Sequence, residues 1–191
     1  MRHKIILIVV ALSLVAGYAS CSGQNSAHHQ SRFIRIWHDD AGMPHVVADD
    51  LYGAYYGYGY CLGRDRMFQL EVLRRSSAGT LSEVFGPDYI EVDFIARRDR
   101  VDPAEIAAGL EQSSADFRQA LTAFNNGINR AITDGRNGRF KLEPAFSSAG
   151  LEPEPFTLLQ IVDIFAGTMA ARYNDFTMEL DNLHLLNSLV R

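Results

Sequence analysis

Four glycines, at positions 53, 57, 59 and 63, punctuate "LYGAYYGYGYCLGRDRMFQLEVLRR", a stretch whose other residues ask for a helix. Tyr52, Tyr56, Gly59, Gly63, Met67 and Leu70 recur at helical spacing across residues 51–76. A glycine inside a helix costs about 1 kcal/mol relative to alanine, so this helix forms only if something offsets the loss. Close approach of another backbone is the simplest compensation. The run is not a phosphate loop: it lacks the GK[ST] ending and does not lead from a strand straight into a helix start. Cys61, inside it, reads as a small buried side chain.

The flanking sequence reads as a hairpin followed by helices. In "RFIRIWHDDAGMPHVVADD" (residues 32–50), Phe33, Arg35 and Trp37 alternate with Ile34 and Ile36 as a first strand. "DDAGMP" supplies a turn and "HVVA" a second strand. Asp49 or Asp50 then caps the glycine-rich helix. The clearest helix is "SSADFRQALTAFNNGINRAITDG", where Ser113 and Asp116 form a capping pattern. Phe117, Leu121, Phe124, Ile128 and Ile132 run down one of its faces, and Gly135 is its expected stop. A long connection with three prolines and two glycines follows. Thr157 and Gln160 start a last helix, with Leu158, Leu159, Val162, Phe165 and Met169 predicted to face a core. No internal repeat or low-complexity segment calls for a second domain.

At 191 residues, with 47% hydrophobic and 21% charged side chains, the chain has the composition of one globular domain. Its net charge of −5, with arginines interleaved among acids, argues against a nucleic-acid surface. The first 20 residues read as a signal peptide: "MRHK" is a positive start, and "IILIVVALSLVA" is an apolar run too short to span a bilayer. Cleavage after Ala19 releases a soluble protein, whereas cleavage before Cys21, in "YASC", makes a lipoprotein; both readings stand. Either implies export, to the periplasm or its bounding membranes in a bacterium. Losing Arg2 and Lys4 takes the net charge to about −7. Residues 21–31 read as a polar tether. The six histidines show no zinc-ligand spacing.

These residues carry a specific resemblance. "GMPHVVADD", then "GYGYCLGRDRMFQLE", then "RRSSAGTLSE" resemble, in order, the opening motifs of the penicillin acylase family. "DIFAGTMAARYNDFTMELDNLHLL" is similar to the family segment that contributes to the substrate pocket. The resemblance spans about residues 33–190, with a weaker stretch around 100–150, and is nearer the penicillin G type than other acylases. It implies an α+β chain, mainly helical with a leading hairpin, within the αββα fold of N-terminal-nucleophile hydrolases. It implies a precursor that cleaves itself into α and β chains, the nucleophilic serine being the β N-terminus with its own amine as base. No serine of this chain is then catalytic. The fold so implied has glycine-rich helices made for close contact with that partner.

The resemblance also assigns roles. Met169, Arg172 and Tyr173 match residues that line or gate an acyl pocket; an aromatic and a thioether suit an apolar acyl group, and Arg172 suits a substrate carboxylate. Tyr173 stands where penicillin G enzymes commonly carry phenylalanine, which implies a more polar or differently sized acyl group. Glu179 matches a ligand to a structural calcium ion; since Ca²⁺ takes six to eight oxygens, the others would come from the β chain. Asp175 and Asp181 flank it as weaker candidates. Asp65-Arg66 and Arg74-Arg75 are expected to make structural ion pairs at the α–β boundary. Two function classes stay open: the α part of an amide hydrolase acting on N-acyl compounds (penicillins, N-acyl amino acids or acyl-homoserine lactones), and a non-catalytic exported lipoprotein or binding remnant.

Overall fold

The structure is a computed structural model and describes residues 33–173 and 183–188. The leading hairpin forms as its alternation predicts. Strands β1 (Ile34–His38) and β2 (Pro44–Ala48) pair antiparallel, with Ile36 opposite Val46 and Trp37 opposite His45. Asp39 closes the turn: its carboxylate accepts from the Ala41 and Met43 backbone N–H groups at 3.0 and 2.8 Å. Gly42 takes the left-handed φ of 78° that the turn requires.

Asp50 caps the next helix by accepting from Gly53 N at 2.7 Å. The predicted helix over 51–76 is two helices, α1 (Leu51–Asp65) and α2 (Met67–Ala78), broken at Arg66, whose φ and ψ of −140° and 29° are not helical. Glu143 covers the break by accepting from Phe68 N at 2.8 Å. The region that follows carries helices that the hydrophobic spacing did not announce: α3 (Ser82–Phe85), a 3₁₀ turn over Pro87–Tyr89, α4 (Ile90–Asp99) and α5 (Pro103–Gln112).

The long helix α6 (Ala115–Arg136) is capped by Ser114 rather than Ser113, because the Ser113 hydroxyl donates back to Leu110 O at 2.6 Å. It also runs through Gly135 to Arg136; the left-handed residue that ends it is Gly138, at φ 73°. Helix α7 (Pro144–Ser148) interrupts the long connection. Thr157 and Gln160 form the predicted reciprocal cap on α8 (Leu158–Tyr173): Thr157 N donates to Gln160 Oε1 at 2.9 Å, and Gln160 N to Thr157 Oγ1 at 3.2 Å. Residues 183–188 are helical. Among the described residues no helix is long and apolar enough to cross a membrane.

Gly57, Gly59 and Gly63 are explained within the chain. A Cβ on Gly59 would lie 2.1 Å from Phe124 O, and one on Gly127 would lie 2.0 Å from Tyr56 O. Helices α1 and α6 therefore meet backbone to backbone, and Gly57 makes room for Val46 of the hairpin. The expected close approach is real, but its partner is α6 and β2 rather than a second polypeptide. Around this seam Met67, Leu70, Ile128, Ala131, Ile132, Phe146, Phe156, Ile161 and Ile164 form one core, each large side chain contributing about 1.5–3 kcal/mol by burial. Three expected core positions point elsewhere: Phe117 is 54% exposed, and on α8 Leu159 is 40% and Phe165 65% exposed while Ile161 and Ile164 are buried.

Candidate functional site

The predicted site lies at the C-terminal end of α8, and the chain spends several anchors on placing that helix. Asn129 of α6 clamps the strand of chain before it, donating to Phe156 O and accepting from Phe156 N, both at 2.8 Å. Arg74 of α2 lies over the Phe156 ring, 4.7 Å from its centroid, and reaches Pro155 O. Arg74 is itself held by Glu71, a buried carboxylate that also takes Arg75 Nε at 2.8 Å. Arg100 grips Asp163 of α8 with two hydrogen bonds of 3.1 and 2.8 Å. Further along, Gly167 lets α8 press on α2: a Cβ there would lie 2.9 Å from Ser77 Oγ.

These contacts settle one expectation and redirect another. Arg74 and Arg75 do make structural ion pairs, with Glu71. Asp65 pairs with His38 at 3.1 Å and approaches Arg64 at 3.9 Å, not Arg66; it ties the hairpin to the end of α1. Sequence reading missed Glu71, Asn129 and Asp163. Each is a polar residue on an otherwise apolar helix face, a signal that hydrophobic spacing discards.

Met169 is half-buried on α8, one turn beyond the exposed Phe165. Positions 172 and 173 close the same helix. Glu179, Asp175 and Asp181 lie outside the described residues, and Cys21 does too.

The titratable groups that are described serve structure. Burial, reinforced by the Asp65 charge, pushes the Cys61 thiol up and away from thiolate reactivity. Burial and then a hydrogen bond to Asp134 likewise raise Tyr60, whose hydroxyl donates to Asp134 at 3.1 Å. Arg130 and Arg139 balance the buried Asp134 from the other side. The two hairpin histidines hold aspartates, His38 with Asp65 and His45 with Asp39. Among the described residues no cluster of three or more His, Cys, Asp or Glu side chains is arranged to hold a metal.

A helical chain led by a two-stranded sheet, with anchors converging on its last long helix, agrees with what comparison with known proteins finds. The family model described as Penicillin amidase matches residues 34–189, and the chain belongs to that family. It is 38% identical over 189 residues to penicillin G acylase of Escherichia coli, an alignment covering 98% of this chain and 22% of that protein. It is 29% identical over 144 residues to penicillin acylase 2 proenzyme of Pseudomonas sp. (strain SE83), covering 75% of this chain and 18% of that one. Its structure is similar to that of a thermostable penicillin G acylase from Alcaligenes faecalis, with a TM-score of 0.70, 34% identity and 84% of each chain covered. The chain thus spans about a fifth of the length of the curated relatives it matches.

Proposed function

We propose that this chain is the α part of an exported penicillin acylase-type amidohydrolase that cleaves the side-chain amide of N-acyl compounds such as penicillins. The observation that carries the reading is the 38% identity sustained over 189 residues. The nucleophilic serine then belongs to a β chain, completing an αββα core around which this chain wraps. The exposed apolar side chains of residues 85–101, among them Phe85, Ile90, Phe94 and Val101, support the presence of a covering polypeptide.

In this reading Met169 and Tyr173 wall an apolar acyl pocket, and Arg172 attracts the carboxylate on the leaving-group side of the substrate. The anchors on α8 hold these positions against a chemistry supplied from elsewhere. The Tyr173 hydroxyl must find a partner or water, which favours an acyl group with a polar atom. Glu179 contributes carboxylate oxygen to a structural calcium ion, a hard cation suited to such a donor; the remaining ligands come from the β chain. Residues 1–20 direct export, and Cys21 is the candidate lipid anchor.

The test is hydrolysis of a phenylacetyl chromogenic amide by the complete precursor after self-processing. Met169→Ala and Tyr173→Phe should alter KM across a series of acyl groups, each by about three- to tenfold. Loss of calcium should impair assembly before affinity. Activity confined to long-chain acyl-homoserine lactones would overturn the substrate assignment, and an inert processed pair would overturn the enzyme.

A further inference from the structure

The sequence contains two Asn-Gly dipeptides, Asn126-Gly127 and Asn137-Gly138, both associated with helix α6. Such a pair is chemically labile because glycine, with no side chain, leaves its main-chain nitrogen free to attack the side-chain amide carbon of the asparagine before it. The two are placed very differently.

Asn126-Gly127 lies inside the helix, at the seam with α1. A Cβ on Gly127 would lie 2.0 Å from Tyr56 O and 2.7 Å from Tyr60 N, so this nitrogen has no room to move. The Asn126 side-chain amide also donates to Tyr52 OH at 3.2 Å. Reaction here would require separating α1 from α6.

Asn137-Gly138 is the exposed end of the same helix. Asn137 has φ −83° and ψ 6°, Gly138 has φ 73°, and a Cβ on Gly138 would meet nothing within 4 Å. Three backbone bonds hold the end: Asn137 N to Thr133 O at 3.1 Å, Gly138 N to Gly135 O at 3.0 Å and Arg139 N to Asp134 O at 2.9 Å. This is the pattern of a helix-terminating Schellman turn. Helix ends open locally at far lower free energy than the core. Among the described residues no hydrogen bond holds the Asn137 side chain.

We propose that Asn137 is a site of spontaneous deamidation and Asn126 is not. In the reaction the Gly138 main-chain nitrogen, losing its proton, bonds to Asn137 Cγ; the Cγ–Nδ2 bond breaks and ammonia leaves. Water then opens the resulting succinimide. Attack at Cγ gives aspartate, and attack at the Asn137 main-chain carbonyl carbon gives isoaspartate. Either product places a new carboxylate between Arg136 and Arg139, the latter of which already contacts Asp134 at 3.5 Å. Isoaspartate also lengthens the main chain just before Phe140 and Leu142, which pack on Gly135, and before Glu143, which caps α2. The modification therefore loosens the joint between α6 and α2 as the protein ages.

The test is peptide mapping by mass spectrometry of the full chain, aged in mildly alkaline buffer, with a parallel sample unfolded in urea. Conversion of Asn137 in the folded protein within tenfold of its unfolded rate, with Asn126 preserved, is the expected result. Asn137→Gln should remove the acid-shifted charge variant. Protection of Asn137 by more than tenfold, equivalent to about 1.4 kcal/mol, would overturn the proposal. Equal conversion of Asn126 would overturn it as well.

Discussion

Two regions of this chain solve the problem of apolar surface in opposite ways. The seam between α1 and α6 is dry and closed: Ile128 and Ala131 have no exposed surface, and glycines bring the two backbones together. The segment from Phe85 to Val101 is open: Ile90 is 58% and Phe94 59% exposed. That segment is nevertheless held firmly, by polar rather than apolar means. Asp93, only 4% exposed, accepts from Leu81 N and Ser82 N at 2.8 Å and from Ser82 Oγ at 2.5 Å. Arg97 donates to Gly79 O at 2.7 Å, where Gly79 ends α2 in a left-handed conformation. The contrast teaches that exposed apolar residues here do not mark loose structure: the segment has a fixed shape and presents an apolar face.

The largest effect should come from breaking the closed region. Gly127→Val drives a branched side chain into Tyr56 O and Tyr60 N, and neither backbone group can yield without opening the seam. A loss of about 3 kcal/mol or more is expected, read as a fall in the urea midpoint followed by helical circular dichroism. Gly109→Ala on α5 is the counterpart, because nothing lies within 4 Å of its added Cβ. It should stabilise by about 0.5–1 kcal/mol. Equal effects from the two substitutions would refute the assignment of these glycines to backbone contact.

Next in size is the joint between the regions. Glu71 is buried and holds both Arg74 and Arg75, and Arg74 in turn rests on Phe156 at the entrance to α8. Glu71→Ala leaves two arginines partly buried without their counter-charge and should cost about 3 kcal/mol. Because the same network seats α8, it should also raise KM for acyl substrates in the processed enzyme. A stability loss with unchanged KM would separate the network from the pocket.

Much of this was legible in the sequence, and what was not has identifiable physical causes. The hairpin, its turn, the Asp50 cap and the Thr157–Gln160 box are local devices, decided by residues within a few positions of one another. The glycine periodicity announced a backbone contact but not its partner, because spacing within one helix says nothing about which element lies across from it. Helix α4 escaped notice because its apolar residues do not form a stripe toward the core; in "IEVDFIARRD" the residue turned inward is Asp93. Helix α5 does turn an apolar side inward, but it is short and Ile106 is its one buried residue. On α8 the predicted face was displaced for a related reason. The buried side is Ile161, Asp163 and Ile164, and a charge in the middle of it hides the pattern. Of the candidate site, the motif indicated Met169, Arg172, Tyr173 and Glu179, whereas Asn129, Arg100 and Asp163, which steady the helix, are visible only in three dimensions.

A smaller effect should follow from loosening the open region's polar anchor. Burial acts to raise the Asp93 pKa, but hydrogen bonds from the Ser82 hydroxyl, Ser82 N and Leu81 N, with the Arg97 charge, outweigh it and hold the carboxyl below its ordinary 3.8. A depressed folded-state pKa stabilises the protein above 3.8, and that contribution is lost as pH falls from there through the folded value. Asp93→Asn should cost about 1–2 kcal/mol at neutral pH. The gap between variant and parent should then narrow on acidification below 3.8, measured as urea midpoints at successive pH values. A constant gap would mean that Asp93 holds the turn by shape alone.

The smallest change in stability should come from the apolar face itself. Phe94 is 59% exposed, so Phe94→Ser removes little buried area and should move the stability of the chain by no more than about 0.5 kcal/mol. Its effect should appear instead in what the face does. The isolated chain, expected to be poorly soluble because an apolar ridge of this kind promotes association, should become more soluble. The complete precursor should yield less processed enzyme, since the same ridge is proposed to lie beneath the second polypeptide. Gain in the first assay and loss in the second are one prediction: a side chain that contributes almost nothing within its own fold is kept there by what covers it. A gain in solubility with undiminished processing would leave residues 85–101 as bare surface, and the covering chain would have to be sought on the outward side of α8, around Phe165.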